Sequence, residues 1–492
     1  MIKLVFLFSI FFMASANSNW ALARKPSKVS SSDTKNSITS STAGRIETLM
    51  KEEAARQNIP GLVVTIATKE GTAFSRAIGL RNLEKNLPMT PDTLYGIASQ
   101  TKTFTALAIM NLAKENKISI EDPLRLYMDL TVDDAKDPIR IRHVLSQTTG
   151  FSDINGKNLV QYRSSGLAPK NLGIADTWSG ILTYINGAQD YKLAKPGVRY
   201  GYSNDFYSLL GLVIEKVTKR SYSEYMENEI LKPLGMHRSV LRPEAVLKDQ
   251  NLIQGYSGMG RDLEPSDFPF TKLGESTGGI FSTGNEMAQY VQVLLDDSER
   301  GISRLVTSLQ REDMWRPQSV VTWGFGAEIG SAYGFGWRVT THPNHRVRVV
   351  EHGGDFIVAG GHILLVPERG FGIVVGMNRQ PGQRANKLMK QILEILLEPK
   401  ISKSENEIIG EYVGYCQQMK ISISKEKDLL ILKTDLPEGM GGKNVVTLKS
   451  KDQKKGLYTF EAGLGGEMML QTHQSSTGRF GILFDRFLLY KK

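Results

Sequence analysis

Two groups of strand-like segments stand near opposite ends of the first four hundred residues, and they limit what this chain can become. "GLVVTIATKEGTAFSRAIGLRN" alternates about a Lys-Glu-Gly turn, the pattern of a β-hairpin. "HILLVPE" and "GFGIVVGMN" (362–378) are apolar runs about a Pro-Glu-Arg-Gly turn and read as a second hairpin. Between them the chain reads mostly as helix. One helix opens at about Ser99, one covers Ser208 to Lys219 and one covers "EMAQYVQVLLDD". Strands bracketing a helical middle imply an α+β fold, with an antiparallel sheet closed from both chain ends and helices packed on it. The alternation of a doubly wound parallel sheet is absent.

At 492 residues the chain is long for one domain. A break is expected near "LEPKISKSENE", dividing a large domain over 43–398 from a small all-β module over 404–492. "MIKLVFLFSIFFMASANSNWALA" has a basic start, an apolar core too short for a comfortable span, and small-residue exits. It reads as a secretory signal peptide over 1–23, placing the mature protein outside the cytoplasm or in a periplasm. Residues 24–42 read as a disordered serine-rich leader, followed by a helix with Ile46, Leu49, Met50 and Ala54 on one face. The single cysteine, Cys416, excludes an intramolecular disulfide. Formal charge falls from +10 to +9 when Lys3 leaves with the signal. That excess favours anionic surfaces such as wall polymer or headgroups, while the interleaved charges and lack of a long basic run argue against nucleic acid.

Three short stretches carry chemistry. In "YGIASQTKTFTALAIM", Ser99 and Lys102 are one helical turn apart at the start of an apolar run. A lysine buried there can lose its proton near neutral pH and take the serine's, while amides at the helix start favour developing negative charge. Ser99 as a plain N-cap is the alternative. In "KPGVRYGYSNDFYSLLGLVIEKVT", Tyr202 and Asn204 lie in a turn before a helix. A phenol there can shuttle a proton and an amide can hold lysine and substrate, or the pair can be core aromatic and cap. In "VVEHGGDFIVAGGHILLVPE", Gly353 and Gly354 after His352 let a substrate lie against a strand, and the Asp355 amide can complete an oxyanion hole with that of Ser99. An incidental glycine turn is the alternative. Other Ser-x-x-Lys matches fall at Ser32–Lys35 and Ser422–Lys425, and Tyr184-Ile185-Asn186 and Lys272-Leu273-Gly274 imitate the second and third stretches. "GESTG" around Ser276 imitates a nucleophile elbow but lacks the buried strand it needs, and "HPNH" (His342 to His345) reads as a proline turn.

The three stretches in this order resemble the penicillin-recognising serine hydrolases around the class C β-lactamases, a family that also holds D-alanyl-D-alanine peptidases, D-aminopeptidases and esterases. "HVLSQTTGF", "PLGM", "GGIFSTGNEMAQY", "YGFGW" and "VVGMN" share the likeness, which covers about residues 45 to 380. The resemblance implies a β-lactamase/penicillin-binding-protein-like fold and an acyl-enzyme on Ser99. Lys102 and Tyr202 would move protons, and Asn204, His352, Gly353, Gly354 and Asp355 would line the substrate side. It calls for no metal or organic cofactor, and for a small-molecule or peptide substrate, with cell-wall material among the candidates. True β-lactamases of this kind carry Lys-Thr-Gly as the third motif. His352 stands there instead and is largely neutral near pH 7, which favours an esterase or D-amino-acid peptidase. A true β-lactamase and a non-catalytic wall-binding or scaffold member are the alternatives.

Overall fold

The computed structural model describes residues 38–151, 153–154, 177–258, 263–298, 301–321, 331–342, 345–380 and 383–397. In the C-terminal region it describes 408–413, 420–426, 429–434, 445–452, 457–461, 467–474, 480–484 and 487–491. The expected signal segment, leader residues 24–37, the break after Leu397 and Cys416 lie outside these residues.

Both expected hairpins form, and they meet. Strands β1 (Gly61–Thr68) and β2 (Gly71–Asn82) make the first. A short β3 (Leu87–Pro88) follows on its outer side. At the other end, β4 (Ser319–Val320), β5 (Ala332–Tyr333), β6 (Arg338–Thr341) and β7 (Arg348–Asp355) lead to the second hairpin, β8 (Gly360–Val366) and β9 (Phe371–Met377). Gly370 closes the β8–β9 turn with φ 68°, where a side chain would be strained. The sheet order is β3-β2-β1-β9-β8-β7-β6-β5-β4, and β1 pairs antiparallel with β9 from Leu62↔Met377 to Thr68↔Phe371.

Strand alternation gives the sheet two apolar faces. Val63, Val350, Ile363, Leu365 and Val374 face the helical middle. Leu62, Val64, Ile66, Leu364, Ile373 and Val375 face α1 (Ser40–Gln57) and a helix over Gln383–Leu397. Helix α1 buries Ile46 and Met50 as its spacing predicts, but it begins at Ser40, taking in the last residues assigned to the leader. The helical middle includes α2 (Thr101–Lys114), α3 (Asn204–Thr218) and α4 (Gly284–Leu295). Helix α3 is capped by Ser203, whose hydroxyl accepts from the Phe206 amide, so it starts four residues before its apolar run. The C-terminal region is a closed barrel of eight antiparallel strands between Gly410 and Lys491.

One side chain fastens the seam where the chain ends meet. Asn378, fully buried, accepts from the Gly61 amide (2.7 Å) and donates to the carbonyls of Leu80 (3.0 Å) and Arg81 (3.3 Å). Truncation takes this partner from the buried Gly61 amide and the Leu80 carbonyl, while the Arg81 carbonyl keeps the Gln254 amide at 2.7 Å. Asn378→Ala is therefore expected to destabilise the protein by about 3 kcal/mol. Urea unfolding checks this, and a loss under about 0.5 kcal/mol, the range of ordinary surface changes, would refute the seam's importance.

Candidate active site

Ser99 reaches its position through a strained turn. The chain leaves a two-residue strand, Tyr95–Gly96, and makes a 3₁₀ turn over Ala98–Gln100 before α2 begins. Ala98 has φ 49°, a left-handed conformation unfavourable for alanine by about 1–2 kcal/mol. The Ile97 amide bonds the Ile280 carbonyl at 3.0 Å on one side. On the other, Gly354 of β7 lies so close that a Cβ there would stand 2.0 Å from the Ile97 oxygen. Wedged between, Ala98 lifts Ser99 partly into solvent. The α-helix expected from Ser99 thus starts at Thr101, and neither the turn nor the helix has a side-chain cap. Ser99 is not a plain N-cap.

Lys102 is wholly buried one turn on. Its Nζ lies 3.1 Å from Ser99 Oγ, 2.9 Å from Asn204 Oδ1 and 2.9 Å from the Thr277 carbonyl, so all three of its donors have neutral acceptors. Burial lowers its pKa to about 7, opposed by Asp153 and helped by Arg338. In the neutral amine, two hydrogens serve Asn204 and Thr277 and the lone pair can face the Ser99 hydroxyl. Tyr202 also hydrogen-bonds Ser99, and its ring centre lies 4.9 Å from Lys102 Nζ. Burial pushes the phenol up to about 12, so it keeps its proton at neutral pH.

The third stretch forms the wall opposite. His352 is fully buried: Nδ1 donates to the Gly353 carbonyl (2.6 Å), leaving Nε2 to accept from the Tyr333 hydroxyl (3.0 Å). Burial, then the charges of Arg338 and Lys102, hold the ring well below its usual pKa, so it is neutral. It stands behind Tyr202, with ring centres 6.4 Å apart, rather than at the surface a substrate would touch. Gly353 is partly exposed and Asp355 exposed. Strand β6 pairs with β7 only as far as Arg338↔Glu351, and among the described residues no strand continues on that side past Glu351. An extended substrate can lie there.

Three contributors escaped the sequence reading. Asp153, two residues beyond "HVLSQTTGF", is approached by Ser203 Oγ (3.4 Å) and Asn204 Nδ2 (3.5 Å), placing a carboxylate behind the amide that holds Lys102. Thr277 acts through its backbone, from within the "GESTG" stretch. Arg338, directly after "YGFGW", is the cation whose field reaches Lys102, Tyr202 and His352 together.

The imitators are accounted for locally. Ser276 is buried in a helical turn and donates to the Ser208 carbonyl at 3.2 Å. Lys272 is bound to Glu215 (2.6 Å) and Glu275 (2.9 Å). Tyr184 and Asn186 lie in a helix and bond the Ile154 and Asp129 carbonyls. His342 and His345 both meet Glu394, at 3.1 and 3.5 Å. Ser422–Lys425 sits in a barrel strand, and Ser32–Lys35 lies outside the described residues.

A helical region on an antiparallel sheet, with serine, lysine and tyrosine converging where they meet, defines a serine hydrolase scaffold of the penicillin-recognising type. A family model described as Beta-lactamase matches residues 46–397, and the chain belongs to that family. It is 28% identical over 345 residues to protein Flp of Staphylococcus aureus (69% of this chain, 64% of that one). It is 25% identical over 308 residues to penicillin-binding protein 4* of Bacillus subtilis (59% and 62%). The chain thus spans under two thirds of the length of these relatives. Among solved structures, the octameric penicillin-binding protein homologue from Pyrococcus abyssi matches with a TM-score of 0.65 at 27% identity, over 91% of this chain and 99% of that one. A class C β-lactamase matches in fold with a TM-score of 0.60 at 19% identity, over 73% and 98%.

The Asp153 carboxylate favours the ammonium form of Lys102, so Asp153→Asn should lower the lysine's pKa. The pH at which Ser99 becomes reactive toward a fluorophosphonate is expected to move down. An unmoved or raised midpoint would rule out the electrostatic link.

Proposed function

We propose that the protein is an exported serine hydrolase that works through an acyl-enzyme on Ser99, cleaving an ester or a D-amino-acid amide. The reading rests on a buried lysine, depressed to about pH 7, 3.1 Å from a partly exposed serine hydroxyl. Neutral Lys102 takes the Ser99 proton as Oγ bonds to the substrate's carbonyl carbon. The carbonyl oxygen gathers negative charge before the backbone amides of Ser99 and Asp355. As the bond to the leaving oxygen or nitrogen breaks, the Tyr202 hydroxyl hands that atom a proton and is resupplied from the Lys102 ammonium. Water then adds to the acyl carbon by the same relay, releasing the acid and restoring Ser99.

A buried, neutral His352 cannot hold a substrate carboxylate by charge, but Arg338 supplies a cation on the same side. That favours a leaving group carrying a carboxylate, as a D-amino acid does. Export rests on the basic and apolar character of residues 1–23. N-terminal sequencing of the mature protein tests it, and an intact Met1 would refute it.

Incubation with a fluorophosphonate should add one adduct to the wild type and none to Ser99→Ala, which keeps its fold and loses turnover. Wild-type turnover in Ser99→Ala would end the proposal. Activity is expected to rise with pH through about 7 as Lys102 loses its proton. A falling limb there would exclude Lys102 as the base. Arg338→Gln should cut kcat/KM at least tenfold more for a D-alanine-terminated substrate than for an uncharged ester, consistent with losing one charge-assisted bond of about 1.5–3 kcal/mol. Equal losses would remove Arg338 as an anchor.

A further inference from the structure

Beside the site lies a cavity of about 250 Å³, below the roughly 300–1,000 Å³ of pockets that enclose a whole small molecule and of a size for one substituent of a larger substrate. Four phenyl rings line it, those of Phe268, Phe270, Phe281 and Phe356. Phe268 stands edge-on to Phe281 at 5.0 Å, and Phe270 lies 5.6 Å from Phe281. Phe281 and Phe356 are buried, whereas Phe268 and Phe270 are partly exposed. Lys272 and Glu275 complete a polar wall. That wall is braced by the two ion pairs of Lys272 and by the Trp178 ring 5.1 Å from its ammonium.

The cavity shares its walls with the catalytic segments. Phe356 follows Asp355 directly and packs on Gly96, where a Cβ would stand 2.8 Å from its ring, three residues before Ser99. Phe281 pairs with Gly96 in a two-stranded ladder. Gly279, also lining, lies two residues beyond the Thr277 carbonyl that holds Lys102. Neither Tyr202 nor Arg338, which the proposed reaction puts on the leaving-group side, is among the residues that line it.

We infer that this cavity receives the acyl part of the substrate and selects aromatic or other large apolar acyl groups over acetyl. The inference rests on the acyl-enzyme reading above. Phe268 and Phe270 act as specificity residues, supplying the rim against which the acyl group is desolvated.

The test compares p-nitrophenyl acetate with p-nitrophenyl phenylacetate, which share a leaving group, on the full-length wild type, Phe268→Ala and Phe270→Ala. Circular dichroism and fluorophosphonate labelling of Ser99 establish that each variant is folded and its serine reactive. The wild type is expected to show a kcat/KM at least tenfold higher for the phenylacetyl ester, with the ratio falling at least fivefold in either variant. Labelling of Ser99 without a phenylacetyl preference in the wild type would overturn the pocket and leave the hydrolase reading standing. A preference that both folded variants keep would overturn it equally. Neither labelling nor turnover in the wild type would remove both.

Discussion

The burial of the Lys102 ammonium is the interaction on which the rest depends. Its three acceptors come from three separate segments: the Ser99 turn, the first residue of α3 and the helical turn carrying Thr277. A shift in any of them leaves a buried cation short of a partner, at a cost of several kcal/mol. The same arrangement sets the chemistry, because every direct acceptor is neutral. Lys272 shows the opposite outcome within one molecule. Burial pulls its pKa down as well, but two carboxylates within 3 Å outweigh that and hold it above the ordinary value. Lys102 has its carboxylate, Asp153, only at one remove behind Asn204, and burial wins. Distance to the counter-ion separates a structural lysine from one able to exchange protons.

The sheet holds this arrangement rigid. Strand β7 lies against the Ser99 turn because Gly354 has no side chain, and that contact keeps Ala98 in a conformation it would otherwise avoid. The strained turn is thus maintained by long-range packing and does not have to be created when substrate arrives. The seam of β1 against β9, with Asn378 across it, carries the same rigidity to the far edge.

Much of this was legible in the sequence, for physical reasons that also mark where legibility stops. The hairpins were readable because alternation and turn residues are local properties, and the candidates Ser99, Lys102, Tyr202 and Asn204 because a hydroxyl, an amine, a phenol and an amide are recognisable side chains, which the structure brings together. Thr277 was hidden since its contribution is a carbonyl, which every residue has. Arg338 was one arginine among many until the register of β6 and β7 placed its charge beside the site. The left-handed Ala98 arises from tertiary contacts that no local propensity encodes. His352 was readable as a residue of the site but not as a buried one. Only the assembled structure puts Tyr333 on its far nitrogen.

Strand β1 ends at Thr68, and the partner that completes its pairing begins at Phe371. A ribosome adding roughly 5–20 residues per second needs about 15–60 seconds to make the chain between them. Throughout that interval the first hairpin has an open edge, although α1 is already made and α4 follows before Phe371, and the central sheet cannot close. The site cannot assemble either, because β7 arrives in the same late segment. The order of the strands along the chain is therefore a timer on folding.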